Sequence, residues 1–256
     1  MLHCAWVVHV IFILLACSDD LQVEEQNTLL RPATWTENDI QDAFDEVMAY
    51  GLPDPNDFWQ LYQELYDEGA TPSCPGTEYN FDGQELTAYD CFTPDGFRFE
   101  GLSEFMYEYG GWRLHLEGRI IAPDGRIVHG AGSVAIEETD ITRKTFEGTL
   151  YSNFGADWLT HTPSLLLYLE RFGNDVVLDG GYTINGKSIS FNRFRIGTCP
   201  NGEGEILLRE PQGGWWTYRV EQGCPDTGIL IFHHEKVSDF SLNIEALVQD
   251  IQRVLP

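Results

Sequence analysis

The spacing of hydrophobic residues changes twice along the chain. Between residues 36 and 69 apolar side chains recur at helical spacing in two short segments, which Gly51 and Pro53 separate. From Cys74 onward apolar and polar residues mostly alternate, and Asp-Gly or Asn-Gly dipeptides divide the alternating segments. Helical spacing returns between residues 243 and 254. Because helices repeat every 3.6 residues and strands every second residue, the pattern predicts two N-terminal helices, a long series of hairpins and a C-terminal helix.

The two N-terminal helices carry start signals. Thr36, with Asp39 three residues later, indicates a capping box, and Asp54 followed by Pro55 indicates a second N-cap. Gly51 predicts the end of the first helix. Each helix has one apolar stripe and is therefore expected to pack on one side. The stripes consist of Ile40, Phe44, Val47 and Met48, and of Phe58, Leu61, Tyr62 and Leu65.

The alternating region predicts the fold class. About ten strands are expected between Thr77 and His233, too many, with too little helix, for a parallel α/β sheet. The alternation slips after Lys187, which predicts a β-bulge near Asn192. The apolar run at 165–169 fits either a strand buried on both faces or a short helix. We predict an α+β fold, mainly β: a large antiparallel meander sheet, flat or curved into a half-barrel, with two N-terminal helices and one C-terminal helix.

The first residues differ from the rest of the chain. Residues 2–16 contain no Asp, Glu, Lys or Arg, and Cys17 closes this apolar run directly before Ser18 and Asp19. The segment resembles the lipobox signal of bacterial lipoproteins. The resemblance implies export, cleavage before Cys17 and acylation of Cys17. Residues 1–16 are then a signal peptide, 17–34 a lipidated acidic tether, 35–70 a helical pair packing on the sheet, and 74–256 an antiparallel β domain ending in a helix.

Two other interpretations of the leader stay open. The apolar run is shorter than the roughly 20 residues of a spanning helix, which favours a signal peptide. Residues 1–4 lack the Lys or Arg that such signals usually carry, so an ordinary secretory signal or an uncleaved anchor remains an alternative. Under the lipoprotein resemblance, Ser18 favours the outer over the inner membrane, on either its periplasmic or its surface side.

The chain is strongly acidic. Its 41 acidic and 15 basic residues give a net charge of −26, and half of that excess lies in residues 17–72. Such a surface repels nucleic acid and anionic membranes, because phosphate binding depends on Lys and Arg. The charge serves solubility, or it recruits cations or a basic partner.

An even set of cysteines remains once Cys17 is set aside. In an exported protein, Cys74, Cys91, Cys199 and Cys224 are expected to form disulfides, for which three pairings exist. We favour Cys74–Cys91 and Cys199–Cys224, because each pair brackets a short strand-like segment. The rival interpretation, a zinc site, is disfavoured because the spacings include no C-x-x-C pair.

The segment around the first cysteine pair carries another resemblance. Cys74-Pro75, then the stretches 90–93 and 96–101, form a block of the CP…DCxT..G..F.G type. The block is similar to one in a group of uncharacterised Gram-negative lipoproteins, where it opens a β-rich domain. The resemblance implies a fold and a location, and no activity.

Catalytic signatures are weak. The segment around Ser133 has Ala131 and Ala135 where a G-x-S-x-G elbow would have glycines, and paired cysteines leave no thiol nucleophile. A glycosidase needs two carboxylates in one site, and among 41 acids such a pair is easily imagined. We expect no enzymatic activity and no cofactor; a polysaccharide hydrolase acting through a carboxylate pair is the alternative.

Metal ligation has little support from the histidines. His233 and His234 are adjacent, and on a strand their side chains would point to opposite faces, so they cannot easily share one ion. His115 shares a polar face with Arg113 and Glu117, which indicates ordinary solvated positions. We name no metal-binding residue.

Ligand binding is the remaining class of function. Trp112, Trp215 and Trp216 lie on predicted strands beside glycines, and adjacency places the rings of Trp215 and Trp216 on opposite faces. An exposed indole could stack on a sugar or a peptide, whereas burial is the simpler interpretation. A half-barrel that holds an acyl chain is a further alternative. We expect a lipid-anchored envelope protein with a structural or binding role. Its partners would be the membrane and an envelope protein or carbohydrate, and not nucleic acid.

Overall fold

Within the described residues, thirteen antiparallel strands form one sheet, in which each strand pairs with its neighbours in sequence. The computed structural model describes residues 33–79, 85–108, 110–139 and 141–255. The helices are α1 (Glu37–Met48), α2 (Pro55–Gly69), a short 3-10 helix (Asp157–His161) and α3 (Glu245–Val254). The strands are β1 (Gly76–Tyr79), β2 (Glu85–Phe92), β3 (Arg98–Glu108), β4 (Gly111–Ile121), β5 (Ile127–Glu138), β6 (Thr142–Ser152), β7 (Ser164–Phe172), β8 (Asp175–Ile184), β9 (Lys187–Ile196), β10 (Glu203–Arg209), β11 (Trp215–Val220), β12 (Gly228–Phe232) and β13 (Glu235–Phe240).

The predicted mainly-β meander with two N-terminal helices and one C-terminal helix is confirmed. The expected strand number was too low, partly because His233 and His234 form the turn between β12 and β13 and do not continue a strand. The predicted signal peptide at 1–16 and residues 17–32, with Cys17, lie outside the described residues, as does the Asp82-Gly83 dipeptide. Within the described residues, no helix has the length and apolar character needed to cross a membrane.

Both N-terminal helices begin as the sequence predicts. Thr36 and Asp39 form a reciprocal capping box, in which the Thr36 backbone N–H donates to Asp39 Oδ2 at 2.6 Å. Asp54 Oδ1 accepts the backbone N–H of Asn56 at 3.0 Å. Gly51 follows α1 with a φ of +80°, a left-handed conformation that costs least at glycine. These contacts are local, and the sequence alone is enough to place them.

All three helices lie on one face of the sheet. Their buried residues and alternate residues of the strands form one hydrophobic cluster. In β7, Leu165, Leu167 and Leu169 are buried whereas Leu166 and Tyr168 are exposed. The apolar run at 165–169 is therefore a strand buried on one face, neither a helix nor a strand covered on both.

The predicted bulge in β9 is present. Leu178 pairs with Phe194, but Gly180 pairs with Phe191, so Asn192 and Arg193 together oppose a single residue of β8. Arg193 has a φ of +46°. The extra residue restores the alternation, so that the phenylalanines on both sides of the bulge face the core.

Helix α2 crosses the sheet and is fixed at both ends. At its N-terminus, Lys144 Nζ of β6 lies 2.8 Å from Asp54 Oδ1 and also donates to the Val254 carbonyl of α3. In the C-terminal half of the helix, Glu64 and Glu68 pair with Arg126, at 2.7 Å and 2.8 Å. The Lys144–Asp54 pair is buried, whereas the Arg126 pairs are partly exposed. The buried Lys144–Asp54 pair therefore restricts the position of α2 more than the partly exposed Arg126 pairs do.

The C-terminal end of α2 packs on the CP…DCxT block. A Cβ atom added to Gly69 would lie 2.4 Å from the Phe97 ring, so only glycine permits this approach. Thr93 Oγ1 accepts the backbone N–H of Phe97 at 3.1 Å and holds the turn that presents the ring. The Cys74–Cys91 disulfide links the exit from α2 to β2. The residues of this block are structural: they hold the helix against the sheet.

Both disulfides have the predicted pairing. Cys74–Cys91 closes a separation of 17 residues, and Cys199–Cys224 closes one of 25 at the β9–β10 and β11–β12 connections. Loops of this size are expected to stabilise the protein by about 3 kcal/mol each on the chain-entropy model. The disulfides agree with folding in an oxidising compartment.

Replacing Lys144 by methionine should lower the free energy of unfolding by about 3–5 kcal/mol, because it leaves the buried Asp54 carboxylate without its counter-charge. The matched control is Lys236→Met, whose pair with Asp239 is exposed and is expected to contribute under about 1 kcal/mol. Urea denaturation monitored by circular dichroism measures both variants. Equal midpoints for the two would contradict the role given to the buried pair.

Opening the disulfides should lower the thermal midpoint in two independent steps. The double variants Cys74→Ser/Cys91→Ser and Cys199→Ser/Cys224→Ser are each expected to lose about 3 kcal/mol, with additive effects since the bridges join separate connections. Calorimetry with and without reductant checks this. A midpoint of the parent protein that reductant does not change would show that the bridges do not form.

Candidate binding site

A groove lined by aromatic side chains lies between α2 and the ends of β2 and β3. Because alternate residues share a face, β3 places Ser103, Phe105 and Tyr107 in one row on the helix-covered side. The register pairs Glu85 with Phe105 and Thr87 with Ser103, so β2 adds its side chains to the same row. The floor of the groove thus follows from strand register.

Helix α2 supplies the opposite wall. Trp59, Tyr62 and Tyr66 form a second stripe beside the apolar stripe that packs on the sheet. The Tyr62 hydroxyl lies 2.8 Å from Ser103 Oγ, which fixes the helix against β3. The Trp59 ring stacks on Phe105 with centroids 4.5 Å apart and an interplanar angle of 12°. The helix wall and the strand floor of the groove therefore meet in direct ring contact.

The outer part of the groove is open to solvent. Tyr107 is 82% exposed, and its ring meets Phe105 edge-to-face at 5.0 Å and 86°. The concavity has a volume of about 290 Å³. Two neighbouring rings at right angles form a corner, and one of them is almost entirely accessible. The outer part of the groove is therefore accessible to a ligand.

The polar groups of the groove are acidic or neutral. Gln63, Asp67 and Glu85 line it beside the aromatic rings, together with Thr87 and Ser103. Neither Lys nor Arg belongs to the described lining. In the part of the chain that the structure describes, Asp67 and Glu85 make no hydrogen bond or ion pair with another side chain. Their carboxylates are thus available to a ligand.

The three tryptophans named from the sequence have three different environments. Trp112 is half-buried at the edge of the groove, 5.4 Å from Trp59 and tilted to it. Trp215 and Trp216 lie on opposite faces, as adjacency predicts: Trp215 is 38% exposed beneath Arg209, and Trp216 is 2% exposed. Sequence reasoning missed Trp59, Phe105 and Tyr107. A signal for Trp59 was available, since it starts the aromatic spacing i, i+3, i+7 on α2.

Trp216 belongs to a structural hydrogen-bond network and not to a binding surface. Its Nε1 donates to Glu210 Oε1 at 2.8 Å, and the same oxygen accepts the backbone N–H groups of Thr34 and Trp35, each at 3.2 Å. Glu210 is 4% exposed. The charge of this buried carboxylate is compensated by three N–H donors. Glu210 therefore fixes the segment before α1 to the β10–β11 hairpin.

The groove and this N-terminal attachment lie at opposite ends of the sheet. In a meander, successive connections alternate between the two ends. The end that holds residues 33–36 carries the connections 93–97, 122–126 and 210–214; we call it the tether end. The other end, the groove end, carries the connections 173–174 and 197–202, and at it β2 and β4 begin and β3 ends. The last residues before α1 thus join the domain far from the aromatic groove.

The histidines and cysteines do not form a metal site in the described structure. His233 and His234 both have positive φ, at 48° and 68°, and occupy a tight turn instead of the strand position assumed from the sequence. His115 Nδ1 lies 2.8 Å from Ser133 Oγ on the solvent-facing side, as expected. Cys199, Glu203 and Cys224 cluster within 4.8 Å, but both cysteines are engaged in a disulfide.

A second concavity, of about 480 Å³, lies on the helix-free face over β7, β8 and β9. Its carboxylates are engaged: Asp175 accepts the Thr198 hydroxyl and backbone N–H, and Asp179 accepts the Arg193 N–H. The Thr198 hydroxyl, followed by its N–H, lowers the pKa of Asp175, and partial burial opposes this shift. These acids hold the strand ends together, which favours the groove as the ligand site.

The buried acids do not form a hydrolytic pair. Among the described residues, Asp54 and Glu210 are the buried carboxylates; the first is paired with Lys144 and the second with three N–H groups. The inner face of the sheet, where a lipid carrier would hold an acyl chain, is filled by helix side chains such as Phe44 and Leu247. Neither alternative gains support from this packing.

Comparison with protein-family models gives no match, and none of the curated proteins compared with the chain matches it. The function therefore has to be argued from the groove itself.

Replacing Glu210 by alanine should release the segment at 33–36, because three N–H donors lose their common acceptor. Hydrogen bonds to a charged group typically contribute about 1.5–3 kcal/mol, so amide exchange at Trp35 should accelerate by roughly tenfold or more. Glu235→Ala, at an exposed position on the next hairpin, is the control. Unchanged exchange at Trp35 would show that Glu210 does not hold this segment.

Proposed function

We propose that the protein is a lipid-anchored component of the bacterial cell envelope that binds a ligand in the aromatic groove, and that it is not an enzyme. The observation that carries the proposal is the groove: an exposed ring beside stacked aromatic side chains, with two carboxylates that pair with no described side chain. Clefts lined by aromatic side chains with a few polar groups are typical of small-molecule sites.

The location is supported by the leader and by the disulfides. The apolar run that ends at Cys17 resembles a lipobox, and two disulfides agree with export to an oxidising compartment. The outer membrane is the favoured site, because Ser18 follows the cysteine.

The geometry agrees with a tethered receptor. The segment that follows the tether is bound at the tether end through Glu210, whereas Tyr107 and Trp59 are at the groove end. An anchor at Cys17 would therefore connect to the domain at the end of the sheet opposite the groove. The ligand would be a soluble molecule or a group of a second envelope component, rather than the anchoring membrane.

Cys17→Ser should release the protein from the membrane fraction, because the thiol is the proposed acylation site. Membrane fractionation and the intact mass of the detergent-extracted protein measure this, and Cys4→Ser is the control, which should remain attached. If the Cys17 variant stays bound to membranes, the lipobox interpretation is wrong.

Ligands of the groove should change the environments of Trp59 and Trp112 and leave Trp215 unchanged, because only the first two adjoin the groove. Fluorine NMR of protein labelled with 5-fluorotryptophan can report this during a screen of organic cations, neutral oligosaccharides and short peptides. Tyr107→Ala should abolish the shifts, and Tyr168→Ala on the helix-free face should not. If no class of compound shifts Trp59, the groove is not a binding site.

A further inference from the structure

The ligand class can be narrowed from the chemistry of the groove. We propose that the groove binds a small organic ammonium compound, one whose cationic group is a substituted ammonium of the trimethylammonium type. This inference rests on the proposed binding function and gives it a ligand class.

The ring geometry suits a cation. The faces of aromatic rings carry negative quadrupole potential, and an ammonium group binds best where more than one face is within about 6 Å. Phe105 and Tyr107 stand at 86° to one another with centroids 5.0 Å apart, and Trp59 stacks on Phe105. A group that enters the groove beside Tyr107 contacts the ring of Tyr107, which is 82% exposed, next to Phe105. Alkyl substituents on the nitrogen add apolar contact with the same rings.

The charges around the rings favour the same class. Asp67 and Glu85 provide two carboxylates without a partner among the described residues, and the described lining has no basic side chain to compete with a cation. The chain carries a net charge of −26, which raises the local concentration of cations and lowers that of anions. Phosphorylated or carboxylated ligands are therefore disfavoured. A neutral sugar would stack on the rings but would gain nothing from this charge.

The guanidinium groups that contact aromatic rings in the described structure contact rings outside the groove. Three guanidinium–ring contacts occur among the described residues, and they pair Arg98 with Phe92, Arg126 with Phe154 and Arg209 with Trp215. None of these rings belongs to the groove. The aromatic corner thus remains for a cation from outside the molecule.

The size of the groove indicates a small ligand. A volume of about 290 Å³ is at the lower limit of small-molecule sites. It accommodates an ammonium head group with a short substituent. The groove also lies at the end of the sheet opposite the attachment of residues 33–36, so a free compound reaches it more readily than a head group of the anchoring lipid.

The test compares choline with its neutral isostere 3,3-dimethylbutan-1-ol, in which a carbon replaces the nitrogen. Binding to the purified full-length protein is followed by fluorine NMR of the labelled tryptophans and by calorimetry. Choline should bind about tenfold more tightly than the isostere, and added salt should weaken choline alone. Tyr107→Leu and Glu85→Gln should each weaken choline several-fold. Tyr107 is exposed and Glu85 is partly exposed, so the variants should fold, and Tyr168→Leu is the matched control.

The outcomes separate this inference from the proposed function. Equal affinity for choline and the isostere would overturn the ammonium assignment while leaving an apolar ligand site. Shifts of Trp59 caused by neutral oligosaccharides and not by choline would overturn the ammonium assignment and leave the groove as a binding site. Sedimentation with phosphatidylcholine vesicles, lost in Tyr107→Leu and without binding of free choline, would reassign the ligand to a lipid head group. No response to any probe would overturn both proposals.

Discussion

The position of α2 across the sheet is the constraint on which the rest of the structure depends. Thirteen strands paired only with their sequence neighbours expose a wide apolar face, and the helices must cover it. The Lys144–Asp54 pair fixes one end of α2, and the contact of Gly69 with Phe97 fixes the other. Once α2 is held in this way, it covers only part of the width of the sheet. The groove is the uncovered margin beside it.

The parts of the fold that depend on local chemistry could be predicted from the sequence. Capping at Thr36 and Asp54 involves residues within three positions, and the bulge near Asn192 follows from a slip in alternation within one strand. The disulfide pairing was also predictable, because each bridge joins cysteines close in sequence. The turn at His233 was missed, because its positive φ angles are occupied by residues that give no turn signal.

The candidate site was not predictable in the same way, because it depends on contacts distant in sequence. Trp59 meets Phe105 only because α2 lies over β3, and neither residue differs from a core aromatic when the sequence is taken alone. Trp216 shows the reverse case. Trp216 was named from the sequence as a possible binding ring, with burial as the simpler interpretation, and it donates to a buried Glu210 and has a structural role. Whether an aromatic side chain is exposed depends on whether a neighbouring strand or helix extends far enough to cover it.

Acidity and aromatic exposure have one physical explanation if they act on the same ligand. A net charge of −26 destabilises the compact protein by self-repulsion, and the chain compensates its buried acids individually, as it does at Asp54 and Glu210. Asp67 and Glu85 are not compensated in this way by the described residues, although they border rings whose faces attract cations. Solubility alone would be served by carboxylates anywhere on the surface. The position of Glu85 beside Phe105, and of Asp67 farther along the same groove, is accounted for if a cation completes the site.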